Sequence, residues 1–269
     1  VQRAIAEQRM FRPEDRVLVA VSGGKDSLAL WEVLHALGYS TAGLHLDLGI
    51  GAYSRESREK TVRFAEERGL PLVVVDFTEA GHAIPDVVRL TRRAPCAACG
   101  TAKRYHFDRI AAEQGFSVLA TGHNLDDEAA RLLGNVLRWD THYLARQQPV
   151  LESTHERFAR KVKPLFRLSE YETAAYAFLR KLDYVLDECP NAAGATQLQL
   201  KEVLNRIEAD MPGSKLSFVL EFYRRAQPLF RSASAEPPGT CQHCGMPSHR
   251  SVCSFCTLRD EVERKRREA

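Results

Sequence analysis

Residues 17–27 read VLVAVSGGKDS, and the helix-like pattern LALWEVLHAL follows directly. The apolar run predicts a buried strand, and a helix is expected over 26–37, ending at Gly38. The loop between them contains paired glycines, which let the backbone approach a ligand closely and direct successive N–H groups at an anion. Two serine hydroxyls and the ammonium group of Lys25 add further ligands for an anion. The stretch therefore predicts a strand, a loop of the size that binds phosphate, and a helix.

Strands and helices continue to alternate after this loop. Buried strands are expected at 41–49, 70–77, 116–122 and 161–166. Helices are expected at 54–68 with Ser54 as its cap, at 127–138, and at 169–182, where Ser169 and Glu172 form a capping-box pattern. The predicted fold class is α/β, with a doubly wound parallel sheet whose ligands bind at the carboxyl ends of the strands. If the winding reverses between the first and fourth strands, the glycine loop adjoins the turn after residue 122.

The pattern divides the chain into four units. These are an N-terminal helix over 1–16, a catalytic domain over 17–190, a helical extension over 191–235 and a cysteine-rich module over 236–269. Segment 78–95 is expected to be a loop or broken helix. The extension should contain helices near 196–210 and 214–227, and the linker-like stretch 232–240 follows them. Because Val1 already lies in a helical pattern, we expect a further segment before it.

Composition limits the class of protein. The chain has 269 residues, of which 44% are hydrophobic, and a net charge of +3. No apolar stretch approaches the roughly 18 residues that cross a bilayer, and no signal-peptide pattern opens the chain. We therefore predict a cytoplasmic protein with no membrane partner. In that setting the seven cysteines indicate metal or redox chemistry before disulfides.

Four of these cysteines form two CxxC pairs in the tail, at positions Cys241, Cys244, Cys253 and Cys256. This arrangement predicts a structural Zn²⁺ site of four thiolates. A segment this small has almost no apolar core, so the metal would supply most of its folding free energy. His243 and His249 are alternative ligands, but four sulfur atoms already complete a tetrahedron.

The other three cysteines are Cys96, Cys99 and Cys189. A CxxC pair also occurs as a dithiol redox motif, and Cys189 before Pro190 is equally consistent with a small buried side chain. The residues alone leave these alternatives open.

The SGGKDS loop resembles that of the PP-loop ATP pyrophosphatase family, and its spacing does not match the GxxxxGKS/T pattern of P-loop NTPases. CxxC-G followed by Lys103-Arg104, with Cys-Pro ninety residues after Cys99, is similar to the tRNA 2-thiolation branch of that family, the TtcA and TtuA types. The resemblance covers about residues 17–190. The cysteine tail favours the TtuA type, whose members also carry an N-terminal zinc module.

The resemblance implies specific roles for residues of this chain. It implies ATP binding by Ser22, Gly23, Gly24, Lys25, Asp26, Ser27, Asp47 and Gly122. It implies that Cys96, Cys99 and Cys189 hold a 4Fe–4S cluster whose fourth iron stays open to sulfur. It also implies catalytic roles for Lys103, Asp127 and Cys189. Lys103 is alternatively a solvated lysine.

Asp127 belongs to an acidic turn, Asp126-Asp127-Glu128, that begins a predicted helix. Carboxylates there stabilise a helix N-terminus, so capping is one interpretation. Mg²⁺ binding is the other, because hard oxygen ligands beside ATP can hold the cation that neutralises departing pyrophosphate. The resemblance favours Asp127 as the Mg²⁺ ligand.

The function implied by the resemblance is a tRNA 2-thiouridine synthetase. It would adenylate a tRNA uridine, 5-methyluridine 54 of the T-loop for the TtuA type, and then transfer sulfur from a ubiquitin-like carrier with a C-terminal thiocarboxylate. A homodimer is also implied. Thiolation of the wobble uridine 34 is one alternative, and a PP-loop protein that binds ATP and RNA without thiolation is another.

Net charge does not indicate a nucleic-acid partner, so tRNA phosphates would have to meet local basic clusters. The candidates are Arg89, Arg92 and Arg93; Arg157, Arg160, Lys161 and Lys163; Arg224 and Arg225; and Arg264, Lys265, Arg266 and Arg267.

Overall fold

The computed structural model describes residues 1–192, 194–230 and 238–268. Its strands are β1 (Val17–Ala20), β2 (Thr41–Asp47), β3 (Leu72–Asp76), β4 (Val118–Thr121), β5 (Val150–Leu151), β6 (Arg160–Val162), β7 (Gly239–Thr240) and β8 (Pro247–Ser248). Its helices are α1 (Gln2–Glu7), α2 (Lys25–Ala36), α3 (Gly51–Arg68), α4 (Ile84–Thr91), α5 (Pro95–Glu113), α6 (Leu125–Leu137), α7 (Thr141–Arg146), α8 (Glu170–Leu179), α9 (Thr196–Asp210), α10 (Ser214–Glu221) and α11 (Ser254–Glu268).

β1 lies where the winding of the main sheet reverses. The sheet has the order β3-β2-β1-β4-β6-β5, and every neighbouring pair is parallel except β5 with β6. Val17 of β1 is in register with Thr41 on one side and with Val118 on the other. The predicted doubly wound parallel sheet is confirmed, with the reversal between the first and fourth strands. The loops that leave β1 and β4 therefore adjoin at the carboxyl edge of the sheet.

Gly122 shows how closely those loops approach each other. A Cβ atom built on Gly122 would lie 2.9 Å from backbone atoms of Asp26 and Ser27. Backbone atoms at that distance cannot yield as a flexible side chain can, so only glycine fits between the end of β4 and the first turn of α2.

Alternate side chains of β1 enter two apolar layers. Val17 and Val19 pack with Trp31 of α2 on one face. Leu18 packs with Leu44 of β2 on the other. Burial on both faces explains the unbroken apolar sequence of β1. β3 is only half-buried although its sequence predicts a fully buried strand, because it forms the edge of the sheet.

The N-terminal helix is shorter than the predicted unit 1–16. α1 ends at Glu7, and Met10 and Phe11 enter the same apolar layer as β1. Ile5 is also buried there. The segment packs as part of the main domain, because this is the core that its apolar side chains enter.

Other boundaries also differ from the prediction. Ser54 does not cap α3, which begins at Gly51, and Ser54 Oγ instead accepts a 2.9 Å hydrogen bond from Ile50 N–H. The strand predicted at 161–166 ends at Val162, because the chain turns at Lys163. α10 ends at Glu221 and continues as π and 3-10 turns over 222–230. β5 and α7 are missed by sequence reasoning, because two and six residues are too few for a periodic pattern.

α11 fastens the cysteine-rich tail to α5. Leu258 and Val262 of α11 are buried against Ala98 of α5. The ring of Phe255 stacks on Tyr105 with centroids 3.9 Å apart. The predicted linker 232–240 lies mostly outside the described residues, and none of the helices that the structure describes has both the length and the apolar character to cross a membrane.

Candidate active site at the carboxyl edge of the sheet

Side chains from β2 and α3 donate hydrogen bonds to two carbonyl groups at the start of the glycine loop. His45 Nδ1 donates a 2.9 Å hydrogen bond to Val21 O. The hydroxyl of Ser57, on α3, donates to Ser22 O. These contacts with β2 and α3 fix two carbonyl groups of the loop, so its backbone is held in one orientation, as a backbone anion site requires.

The conformation of Gly23 also shapes the loop. Its φ is +81°, and a Cβ atom there would lie 2.7 Å from Ser57 O, so no other residue fits. Its carbonyl oxygen accepts a 2.9 Å hydrogen bond from Val185 N–H. The loop is thus joined to the segment that leads to Cys189.

Lys25 begins α2 and takes part in an ionic network. Its Nζ lies 2.7 Å from Glu170 of α8 and 3.1 Å from Asp26. Asp26 also accepts a 3.3 Å hydrogen bond from Asn124 Nδ2, in the loop after β4. Burial lowers the pKa of Lys25, but Glu170 and Asp26 outweigh burial and raise it. Lys25 is therefore a cation at the centre of the predicted phosphate site.

The three acids of the turn after β4 have different surroundings. Asp126 is buried, pairs with Lys215 at 2.5 Å and accepts a hydrogen bond from Glu170 N–H. Glu128 is fully buried and pairs with Lys163 at 2.8 Å. Both carboxylates are thus committed to internal contacts.

Asp127 forms a reciprocal capping box with Asn124. Asn124 Oδ1 accepts the Asp127 N–H at 3.0 Å, and Asp127 Oδ2 accepts the Asn124 N–H at 3.1 Å. The capping interpretation is therefore realised. It does not compete with metal binding, because Oδ1 of Asp127 faces the ionic network and pairs with Lys201 at 2.7 Å.

A narrow cleft connects the glycine loop with α5. Its lining includes Ser22 of the loop and Lys103 and Phe107 of α5. Tyr53 and Leu46 belong to the same lining. Asp47 does not: it lines a wider opening beside α3, where Gly49 N–H and Arg58 hold its carboxylate.

The three cysteines outside the tail converge beside this cleft. Cys96 and Cys99 lie in the first turns of α5, and Cys96 Sγ is 3.7 Å from the carbonyl oxygen of Asn191, two residues beyond Cys189. Burial raises the pKa of Cys99, the ammonium of Lys103 opposes this effect, and the thiols of Cys189 and Cys96 are close enough to add to it.

This donor set fits an iron–sulfur cubane. Thiolates are the ligands of such clusters, and three of them leave one iron open. In the described part of the chain, only the tail cysteines have ligand atoms all within 4.8 Å of one another. The wider spacing of Cys96, Cys99 and Cys189 suits a cluster of several metal ions better than a single ion.

The tail cysteines fit one zinc ion. A tetrahedron with zinc–sulfur bonds of about 2.3 Å has sulfur–sulfur edges of about 3.8 Å, and the Sγ atoms of Cys244 and Cys253 are 3.8 Å apart. Burial raises the pKa of Cys241, but backbone N–H groups, that of Cys253 foremost, outweigh it and lower the pKa to about 6. Burial instead raises the pKa values of Cys253 and Cys256 in the metal-free cluster, so a bound zinc ion would have to favour their thiolate forms. His243 instead pairs with Asp260 at 2.9 Å.

Most residues of the predicted basic clusters are neutralised by carboxylates. Lys163 is buried against Glu128, so its assignment to a tRNA surface is wrong. The other pairs are Arg89 with Asp86, Arg93 with Glu261, Arg160 with Glu152, Lys161 with Asp108, Arg224 and Arg225 with Glu221, Arg264 and Lys265 with Glu268, Arg266 with Asp86, and Arg267 with Glu263. These clusters are weaker candidates for RNA contacts than their sequence indicates.

Sequence reasoning also misses residues that the structure brings to the site. Glu170 lies in α8 and Lys201 in α9, which both follow the last strand of the main sheet. No motif in the sequence marks either residue as part of the site. His45 has one faint signal, since it is a polar residue in the middle of a strand that is buried throughout.

Comparisons with known proteins agree with this geometry. The family model of the PP-loop domain matches residues 1–199. The tRNA-5-methyluridine(54) 2-sulfurtransferase of Thermus thermophilus is 50% identical over 265 residues, which cover 98% of this chain and 82% of the relative. The chain belongs to the tRNA 2-thiolation branch of the PP-loop family. The resemblance drawn from the sequence is therefore confirmed.

Two further members of this PP-loop branch are similar over nearly the whole chain. The tRNA-5-methyluridine(54) 2-sulfurtransferase of Pyrococcus horikoshii is 42% identical over 257 residues, covering 95% of this chain and 82% of the relative. The solved structure of U34-tRNA thiolase NcsA from Methanococcus maripaludis, with its 4Fe-4S cluster, superposes with a TM-score of 0.81 at 26% identity. That match covers 96% of this chain and 86% of NcsA.

Proposed function

We propose that this PP-loop protein is an ATP-dependent tRNA 2-sulfurtransferase that acts on 5-methyluridine 54. The observation that carries the proposal is the shared cleft between the glycine loop at Ser22 and Lys103, which lies beside Cys99. An activating site and a thiol site within reach of one substrate atom are what this reaction needs. Position 54 is supported by the names of the Thermus and Pyrococcus relatives.

Activation comes first. The uridine O2 attacks the α-phosphorus of ATP, the bond from that phosphorus to the bridging oxygen breaks, and pyrophosphate leaves. The loop N–H groups and Lys25 hold its oxygens, and Asp127 would hold a Mg²⁺ ion, which would neutralise the charge that develops on the leaving group. The N3 proton is released in this step, and the product carries AMP on O2.

Sulfur replaces the activated oxygen in the second half of the reaction. A hydrosulfide equivalent adds to C2, the C2–O2 bond breaks, AMP leaves with that oxygen, and the proton of the hydrosulfide passes to N3. A 4Fe–4S cluster on Cys96, Cys99 and Cys189 would supply an open iron on which sulfur can be held. The sum is uridine, ATP, carrier thiocarboxylic acid and water giving 2-thiouridine, AMP, pyrophosphate and carrier carboxylic acid, with no net oxidation.

Lys103 lies between the groups proposed for activation and those proposed for sulfur transfer. Its ammonium group lies beside Cys99 and opposes the burial that raises the pKa of this thiol. It also lines the cleft with Ser22. We assign it the role of favouring thiolate at Cys99 and of holding negative charge on the adenylate.

Wobble-uridine thiolation is the second candidate, favoured by the structural similarity to the U34-tRNA thiolase NcsA. We retain position 54 because the relatives named for it are 42–50% identical, against 26% for NcsA. A ubiquitin-like thiocarboxylate carrier and a homodimer complete the proposal.

The test is a thiolation assay on protein reconstituted anaerobically with iron and sulfide. The substrate is tRNA that carries 5-methyluridine 54 and no thiolated base, with ATP and a thiocarboxylated carrier. We expect 2-thio-5-methyluridine at position 54, with one pyrophosphate released per sulfur transferred. Lys25→Ala should lose both products, and Cys189→Ser should lose the sulfur. Sulfur at position 34 with position 54 unchanged would establish the wobble alternative, and pyrophosphate without sulfur from cluster-loaded protein would refute thiolation.

A further inference from the structure

Lys201 lies between the two carboxylates nearest the glycine loop. Its Nζ is 2.7 Å from Asp127 Oδ1 and 3.0 Å from Glu170 Oε2. The other oxygen of Glu170, Oε1, pairs with Lys25 at 2.7 Å. Two ammonium groups are therefore held beside each other by the two oxygens of one carboxylate.

Two neighbouring ammonium groups in a half-buried place repel each other unless anions separate them. The side chain of Lys201 is only 16% exposed. Its Nζ is paired there with two carboxylates, those of Asp127 and Glu170, which are the partners of a charged ammonium group. In the metal-free site Asp26, Asp127 and Glu170 neutralise the two ammonium groups, so these groups can bind an anion with several oxygens once another cation takes one of the carboxylates.

We propose that Lys201 is a second pyrophosphate-binding residue, which leaves Asp127 when Mg²⁺ takes that carboxylate and then holds phosphate oxygens together with Lys25. This inference rests on the proposed ATP chemistry. Mg²⁺ and Lys201 compete for Oδ1 of Asp127, because Oδ2 is engaged by Asn124 N–H. The flexible four-carbon stem lets the ammonium group move while α9 stays in place.

The position of Lys201 gives the helical extension a role at the ATP site. The residue lies just beyond the segment 1–199 that the family model matches. α9 packs against α6, the helix that begins beside Asp127. Gln197 of α9 also donates a 3.1 Å hydrogen bond to Asp127 O. The extension therefore holds Lys201 beside the acidic turn.

The test is calorimetric titration of the full chain with magnesium pyrophosphate and, separately, with AMP. Lys201→Ala should weaken pyrophosphate binding by about tenfold or more, the loss expected for one charge-assisted contact. AMP lacks the β- and γ-phosphates, so its affinity should not change. Lys201→Arg should recover most of the pyrophosphate affinity. Arg109→Ala, which removes a cation from an ion pair within α5, is the matched control and should bind as the wild type does.

Pyrophosphate affinity that is unchanged or higher in Lys201→Ala would mean that Lys201 only shields Asp127, and would overturn the inference. A wild-type protein that binds neither AMP nor pyrophosphate would refute the ATP chemistry itself, which separates the two failures. Should Lys201→Ala fail to fold, amine labelling of the wild type decides. Magnesium pyrophosphate, but not AMP, should protect Lys201 from the reagent, and absence of protection counts against the inference.

Discussion

The backbone N–H of Val185 donates a 2.9 Å hydrogen bond to the carbonyl oxygen of Gly23. This contact joins the glycine loop to the segment that leads to Cys189. Lys60 of α3 holds the same segment, with its Nζ 2.7 Å from Asp183 and 2.9 Å from Tyr184 O. Because Ser57 of α3 also holds the loop, one helix supports both the proposed activation site and the proposed sulfur site.

Lys60→Met should weaken retention of the cluster. Without the ammonium group, Asp183 and Tyr184 lose the two contacts that Lys60 makes with them, and Cys189 is held less firmly. We expect the iron content and the visible absorbance of reconstituted protein to fall several-fold, with ATP affinity little changed. Lys60→Arg should restore much of the iron. Arg63→Met is the matched control, because Arg63 pairs with Asp183 from an exposed position and such pairs contribute little. Full iron content in Lys60→Met would contradict this role.

Phe255→Ala should destabilise both the tail and α5. Phe255 is 6% exposed and stacks on Tyr105, and removal of a buried phenylalanine ring costs about 3–5 kcal/mol. The midpoint of thermal unfolding of the zinc-loaded protein should fall clearly, and bound iron should fall with it, because Cys96 and Cys99 lie on α5. Phe178→Ala removes an exposed ring and should change stability by less than about 0.5 kcal/mol. Equal stability of the two variants would show that packing of Phe255 against Tyr105 does not stabilise α5.

Glu32 should make folding stability depend on acid pH. Burial raises the pKa of Glu32, but Arg180 and Arg68 outweigh burial and hold it below the usual range. A lowered pKa stabilises the fold above the unfolded value of about 4.3, and this contribution is lost as the pH falls through the folded value.

Glu32→Gln should therefore cost about 2 kcal/mol at pH 7 and flatten the acid limb of a plot of unfolding free energy against pH. Glu7→Gln breaks a more exposed pair and should cost less than about 1 kcal/mol. Parallel acid limbs for wild type and Glu32→Gln, measured by urea unfolding from pH 3 to 7, would show that Glu32 is not responsible.

Gly122→Ala should impair nucleotide binding. The added methyl group would meet backbone atoms of Asp26 and Ser27 at 2.9 Å and push α2 and the glycine loop away from β4. Overpacking of this kind costs about 1–3 kcal/mol, and we expect ATP affinity measured by calorimetry to drop at least several-fold. Gly115→Ala is the control, because that glycine has positive φ but open space around it. Gly115→Ala should lower the free energy of unfolding and leave ATP affinity unchanged. An equal loss of ATP affinity in both variants would argue against a local effect of Gly122.

Much of the site is readable from local signals. The glycine loop, the capping box at Ser169 and the CxxC pairs each depend on residues a few positions apart, and the structure has the capping box and the zinc-sized cysteine cluster as predicted. The alternation of strand and helix is equally local, which is why the doubly wound sheet was predictable. The sequence predicted capping by the acidic turn but not the reciprocal partner Asn124, because Asn-x-x-Asp departs from the usual Ser/Thr-x-x-Glu/Gln pattern of a capping box.

By itself, the sequence determined the family and the parallel sheet and predicted the phosphate loop and the thiol ligand sets, since all of these depend on short-range spacing and backbone conformation. Only the tertiary structure decided which charged groups face the site. Lys163 looks like a surface cation but is buried against Glu128, 35 residues away, whereas Lys201 looks ordinary and reaches Asp127 across 74 residues. Ion pairs depend on distances between elements that only folding sets, so no pattern in the chain distinguishes these two lysines.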